Sequence, residues 1–279
     1  MSYTTRQAAD FEVLRIRGWK LWISRRFASH AIALPKARDG HNGVRGPFAR
    51  VSSSRFSRVY RCRIGFFGTV HNLYLKQYLH RSAWDAIKHL FRPSRARRAF
   101  KASLMLAENG LLSPEVVAVG EFRHALVSAR TFLLTKELEN ARSLYAWSEN
   151  YRKAQTAAAL RNKREFIRAL GETIGRMHVA GIFHGDLRPG NIFAVEYRGK
   201  WQFFFLDNER TKKFRRLPNR LRLKNLVQVN MLRTEKVTST DRMRFFKAYL
   251  SQNRNIQRRK KFWQEKTLRK TAFRLDGKR

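Results

Sequence analysis

The chain has 279 residues, with 60 Lys and Arg against 20 Asp and Glu, a formal net charge of +40. That length admits one two-lobed domain or two small ones, and a hydrophobic content of 43% supplies a sizeable core. The single cysteine, Cys62, excludes an intrachain disulfide and fits a reducing cytoplasm. No apolar run reaches the ~18–20 residues that span a bilayer, and Met1 to Asp10 lacks the apolar stretch of a signal peptide.

Phe11 to Ile23 mixes apolar and basic residues around Gly18 and reads as a hairpin with its turn there. Residues 35–48, rich in Gly, Pro and Arg, read as a loop. Ser52-Ser53-Ser54-Arg55-Phe56-Ser57 lies ahead of a strand at Arg58-Val59-Tyr60. Its hydroxyl and backbone N–H groups suit a phosphate, with an ordinary polar turn as the alternative. Cys62 reads as a small buried hydrophobe. Leu73 to Leu79 is a strand candidate with Lys76 inside it; Ser94 to Gly110 reads as a helix and Thr131 to Leu138 as a further strand. Phe166, Ile167, Leu170, Ile174 and Met177 recur at helical spacing, which predicts an amphipathic helix stopping near Gly181.

That helix leads into His184-Gly185-Asp186-Leu187-Arg188-Pro189-Gly190-Asn191. A carboxylate five residues before a carboxamide, with a His two residues before the Asp, is the layout of a kinase catalytic loop. In it Asp186 accepts a hydroxyl proton and Asn191 holds Mg²⁺. Asn191 to Glu196 reads as a strand, Arg198-Gly199 as a turn and Trp201 to Leu206 as a second strand. Asp207 follows, where a kinase keeps its other metal-binding Asp, and Mg²⁺ accepts such hard oxygen donors beside ATP phosphates. Lys76 then reads as the lysine that grips the ATP phosphates, Ser53 and Ser54 as part of the phosphate-covering turn. Backbone groups of Lys136 and Leu138 would hold the adenine at the hinge. The expected fold is α+β, bilobal and protein-kinase-like: a β-rich N-lobe over residues 1–135 and a mainly helical C-lobe over 136–279.

His184 to Phe193, followed by Phe205-Leu206-Asp207-Asn208-Glu209-Arg210-Thr211, resembles the bacterial lipopolysaccharide core kinases, the heptose and Kdo kinase group. Arg17 to Lys20, Leu223 to Leu226 and Thr240 to Leu250 add to the resemblance, which covers roughly residues 11–270. It implies ATP-dependent phosphorylation of a heptose or Kdo hydroxyl in the inner core, with Lys76 on the ATP phosphates, Asp186 as base, and Asn191 and Asp207 on metal. The chain departs from the kinase pattern in two places. Ala99 stands where the helix after Lys76 ordinarily carries a lysine-pairing Glu, the nearest helical acid being Glu108. Gly185 replaces the Arg beside the catalytic Asp, which argues against control by activation-loop phosphorylation.

The charge is uneven: residues 211–279 carry 23 Lys and Arg against 4 Asp and Glu. Such a segment attracts polyanions. The resemblance implies an anionic lipopolysaccharide precursor on the cytoplasmic face of the inner membrane, met by a peripheral, cytoplasmic enzyme; nucleic acid is the less favoured partner. Residues 254–274 read as one basic helix with Ile256, Phe262, Trp263 and Leu268 among the charges, suited to packing on the domain, to a membrane surface or to nucleic acid. The histidines other than His184 show no metal-ligand spacing. Two alternatives stand beside the sugar kinase: a kinase-fold phosphotransferase acting on protein or a small molecule, and a basic pseudokinase that only binds. A cationic small-molecule acceptor would need an acidic pocket, which so basic a segment does not offer.

Overall fold

The structure is a computed structural model. It describes residues 10–16, 18–30, 49–51, 56–66, 69–79, 93–124, 127–152, 155–232 and 237–276. Ser53, Ser54 and the 35–48 stretch lie outside these residues. The chain divides into two compact units: residues 1–108 with 114–139, and residues 109–113 with 140–279.

The first unit is a seven-stranded antiparallel sheet. Its strands are β1 (Phe11–Ile16), β2 (Trp19–Ser24), β3 (Ala49–Val51), β4 (Ser57–Phe66), β5 (Thr69–Tyr78), β6 (Val116–His124) and β7 (Val127–Lys136), in the order β1-β2-β6-β7-β5-β4-β3. Gly18, at a φ of 78°, makes the turn between β1 and β2. Alternation of side chains gives the sheet two buried faces. On one, Leu21, Ile23, Leu73, Leu75, Phe132 and Leu134 pack with Cys62 and with Phe27 of a short 3-10 helix. Burial pushes the Cys62 thiol up to about 11, so it stays a neutral, unreactive packing group. On the other face, Tyr78, Val119 and Leu133 meet Ala96, Ala99 and Phe100 of helix α1 (Arg95–Glu108).

The second unit is built on helices α2 (Leu144–Arg152), α3 (Ala157–Val179), α4 (Asn219–Val229), α5 (Ser239–Gln252), α6 (Arg254–Gln257) and α7 (Lys260–Asp276). The predicted face of α3 is the buried one: Phe166, Leu170, Ile174 and Met177 all lie in the core. Thr156 caps its N-terminus by accepting the Ala159 N–H at 3.2 Å. Strands β8 (Arg142–Ser143), β10 (Ile192–Tyr197) and β11 (Lys200–Phe205) form a small sheet, and β9 (Ile182–Phe183) pairs with β12 (Lys212–Lys213). The β10–β11 hairpin turns on Arg198 and Gly199, both at positive φ. It is fastened to α3 by edge-on aromatic contacts, Phe166 to Trp201 at 4.8 Å and Phe166 to Phe203 at 5.3 Å between ring centroids.

The basic C-terminal segment differs from the single helix expected over 254–274. It breaks at Arg258-Arg259 into α6 and α7, with Ile256 and Trp263 buried and Phe262 and Leu268 exposed. No Gly or Pro marks the break in the sequence.

Candidate active site

Helix α3 gives way to the loop through Gly181, whose φ of 76° an L side chain rarely adopts. A Cβ there would also run into the carbonyl oxygen of Phe214. The Phe214 N–H donates to the Gly181 carbonyl at 2.9 Å, which seats the stretch after Asp207 beside the loop entry.

His184 is fully buried and serves the loop as a brace. Its Nδ1 accepts the Asp186 N–H at 3.2 Å, and its Nε2 lies 3.1 Å from the Leu206 carbonyl and 3.0 Å from Asn208 Oδ1. These partners require a neutral ring protonated on Nε2, and burial, the largest influence on it, lowers its pKa. The backbone of His184 is bound on both sides by one amide: its N–H donates to Asn225 Oδ1 at 3.1 Å, and Asn225 Nδ2 donates to its carbonyl at 2.6 Å. One helical turn later on α4, Gln228 accepts the Leu187 N–H through Oε1 at 3.3 Å and donates from Nε2 to Asp186 Oδ1 at 3.3 Å. The spacing of three residues puts both amides on one face of the helix.

The Asp186 carboxylate is therefore held by several donors. Arg188 Nε stands 2.9 Å from Oδ1, and Asn191 Nδ2 donates to Oδ2 at 3.2 Å and to the Asp186 carbonyl at 2.9 Å. With its amide nitrogen turned to Asp186, Asn191 directs its side-chain oxygen elsewhere. Its own carbonyl accepts the Leu206 N–H at 2.9 Å, so the hairpin brings Asn191 and the start of the Asp207 turn to one end of β10 and β11. Asp207 itself sits at φ 61°, ψ 46°, a left-handed conformation that Asp tolerates better than most residues.

Gly185 has a steric reason to be glycine. A Cβ there would clash with Arg210 Cβ and come within 2.8 Å of the Arg210 carbonyl oxygen. The Arg of regulated protein kinases has no space at this position.

Behind the loop runs a buried polar chain. Arg222 donates to the Tyr249 hydroxyl at 2.7 Å, the hydroxyl lies 2.9 Å from His178 Nδ1, and His178 Nε2 reaches Asn225 Oδ1 at 3.3 Å. Burial, aided by the Arg222 charge, drives His178 down to about 3, and burial pushes Tyr249 up to about 12. His178 is thus a neutral link between Tyr249 and the amide that carries the Asp186 loop. Arg222 is buried with Tyr249 and Asn253 as neutral acceptors and no carboxylate partner among the described residues.

In the first unit, Lys76 lies on the face of the sheet that meets α1, with Nζ 5.2 Å from the centroid of the Tyr78 ring. Ala99 is 2% exposed in the apolar cluster there, while Glu108 is the last residue of α1 and points to solvent. A buried carboxylate on the same face is Glu121, on the register row of Thr131 and Tyr78, one row away from Lys76. Lys136 ends β7; its Nζ pairs with Glu115 at 2.9 Å and its N–H donates to the Glu115 carbonyl. Leu138 follows Glu137, which is clamped by Arg61 at 2.8 Å and by the Tyr74 hydroxyl at 3.4 Å.

A family model described as the lipopolysaccharide kinase (Kdo/WaaP) family matches residues 56–249. The chain belongs to that family. Among solved structures it is similar to WaaP in complex with acyl carrier protein, at 22% identity over 80% of this chain and 87% of that one, with a TM-score of 0.56. That likeness is one of fold, an antiparallel sheet followed by a helical part, as in a kinase. No curated protein matches the sequence. Membership of the lipopolysaccharide kinase family makes the chain a kinase that uses ATP.

Within this lipopolysaccharide kinase the motif pointed to Asp186 and Asn191 but not to the residues that hold them. Asn225, Gln228, Asn208, Arg188 and His178 carry no expected role in the sequence. The available signal was two amides, Asn225 and Gln228, among Leu223, Leu226, Val227 and Val229 on α4. Among the described residues no group of three or more His, Cys, Asp or Glu is placed to hold a metal ion. A kinase metal site is of another kind, with one carboxylate, one amide and the nucleotide's phosphates. Asn191 and Asp207 fit it, both being hard oxygen donors at one hairpin end. The second unit also holds a partly open, largely apolar cavity of about 170 Å³ lined by Leu144, Phe166, Leu170, Leu226, Phe246 and Leu268. A Lys163–Asp241 ion pair of 2.7 Å lies in its wall. No helix of the described residues is long and apolar enough to cross a membrane.

Proposed function

We propose that this lipopolysaccharide kinase transfers the γ-phosphoryl group of ATP to a hydroxyl of heptose or Kdo in the inner core. The observation that carries the reading is Asp186: a partly exposed carboxylate in a loop held by buried amides, within a matched stretch of the family. The acceptor oxygen bonds to the γ-phosphorus as the bridging bond to ADP breaks, and its proton passes to Asp186. Gln228 and Asn191 fix the carboxylate's orientation, so little reorganisation is needed when the hydroxyl arrives. Arg188 adds positive charge beside the reacting oxygens.

Lys76 is the residue for the ATP phosphates, with Ser53 and Ser54 in the covering turn and backbone groups of Lys136 and Leu138 for the adenine. Asn191 and Asp207 are the residues to hold Mg²⁺, which when bound neutralises charge on the phosphates. The acceptor we propose is a lipopolysaccharide precursor on the cytoplasmic face of the inner membrane. Its anionic groups complement the basic residues 211–279. An acyl carrier protein is a second proposed partner: the similar WaaP structure is a complex with one, and the cavity's apolar lining suits an acyl chain.

The test is phosphate transfer to a panel of defined core oligosaccharides, with Asp186→Ala beside the wild type. The reading requires transfer to a heptose- or Kdo-bearing acceptor, lost in Asp186→Ala, while ATP still raises the melting temperature of the variant. Full activity in Asp186→Ala, or transfer only to protein, would overturn it.

A further inference from the structure

Helix α7 presents two phenylalanines to solvent on a basic face. Trp263, Thr267 and Thr271 recur every four residues and are buried. That stripe packs toward α4, where Asn230 Nδ2 donates to Thr271 Oγ1 at 3.2 Å. A helix turns about 100° per residue, so Phe262, Lys266, Arg269 and Phe273 fall within about 60° of one another, on the side away from that stripe. Phe273 is 80% exposed and Phe262 41% exposed, and the two stand about 16 Å apart along the axis. Cations surround them. Arg259 and Lys266 lie 4.7 and 4.8 Å from the Phe262 ring centroid. Lys261, Arg269, Lys270 and Arg274 are exposed, against Glu265 and Asp276 as the acids of the helix.

We propose that this outward face of α7 docks the enzyme on an anionic bilayer. The two phenyl rings enter the boundary between headgroups and acyl chains, and the flanking Lys and Arg meet lipid phosphates. Exposed aromatics bordered by cations are the chemistry of helices that lie in a membrane interface. A second copy of the chain is a poor occupant, because each brings a net charge of +40 to the contact. The packed stripe of Trp263, Thr267 and Thr271 leaves the phenyl face free of any role in the domain's core. The inference deepens the kinase reading and rests on it for the membrane concerned, while the surface itself is argued from the helix.

The experiment is flotation of the full chain with vesicles of phosphatidylglycerol and phosphatidylcholine, against phosphatidylcholine alone. The wild type floats with the anionic vesicles, and salt weakens the binding. A Phe262→Ser/Phe273→Ser variant and a Lys266→Glu/Arg269→Glu variant each bind about tenfold or more weakly. Both keep the ATP-induced rise in melting temperature, which shows that they are folded, and both still phosphorylate a soluble, deacylated core acceptor. Unchanged flotation of the Phe variant overturns the proposal. So does a loss confined to binding of a single-stranded RNA oligonucleotide, which would make α7 a nucleic-acid surface. If the acceptor reading alone is wrong, the wild type leaves the soluble acceptor unmodified while the flotation result stands.

Discussion

In the first unit, the faces of the sheet are filled by alternating apolar side chains, and the residue expected to meet ATP, Lys76, stands among them on one strand. In the second, the loop with Asp186 is carried by amides: the buried Asn225 and Gln228 from α4 and Asn208 from the turn after β11, and the half-buried Asn191 within the loop itself. The contrast fits the role proposed for each group. A lysine acts on phosphate as a long, mobile point charge and needs only a rigid sheet beneath it. A base must meet one hydroxyl in one orientation, and hydrogen bonds fix direction where apolar contacts do not.

The contrast can be broken at its strongest point first. Asp186→Ala is expected to cut phosphate transfer by about 10²–10⁴-fold with little change in melting temperature; a radiolabel transfer assay and a thermal melt read the two effects separately. Next comes the amide frame. Asn225→Leu strands the N–H and carbonyl of His184 in the interior, at about 1–3 kcal/mol each. The urea midpoint and kcat should therefore fall together, and a loss of activity at unchanged stability would detach Asn225 from the frame. The first unit supplies the counter-test in Ala99→Glu, which restores the helical acid of other kinases. It places a carboxylate in an apolar cluster, and a loss of about 1–3 kcal/mol is expected. Unchanged stability with higher activity would mean that the cluster opens to pair the lysine.

The smallest effect is a pH dependence through His178. Its ordinary value is 6.5 and its folded value about 3, so between them the unfolded chain binds the extra proton. The stability it contributes is complete above about pH 6.5 and is lost as pH falls toward about 3, by about 1.4 kcal/mol per pH unit. Urea midpoints at about pH 7 and about pH 5 should diverge in the wild type and diverge less in His178→Gln, the buried and neutral His184 keeping its own share of the difference.

The elements that short-range pattern decides are legible in the sequence: the helix before the loop, its stop at Gly181, the hairpin between Asn191 and Asp207, the strand that holds Lys76. Each rests on periodicity or on a turn residue. The partners of the loop are not legible there. Asn225 and Gln228 lie some 40 residues beyond His184, and a polar residue on an apolar helix face announces a buried hydrogen bond without naming its partner. The break at Arg258-Arg259 was hidden for a related reason: it is settled by how Ile256 and Trp263 pack, and the local sequence carries no punctuation there.

Arg210 lies so close to Gly185 that any side chain at that position would strike it. A residue able to grip a modified loop cannot be installed there without moving the turn after β11. At this position the fold therefore offers no seat for the phosphate-gripping switch of regulated protein kinases.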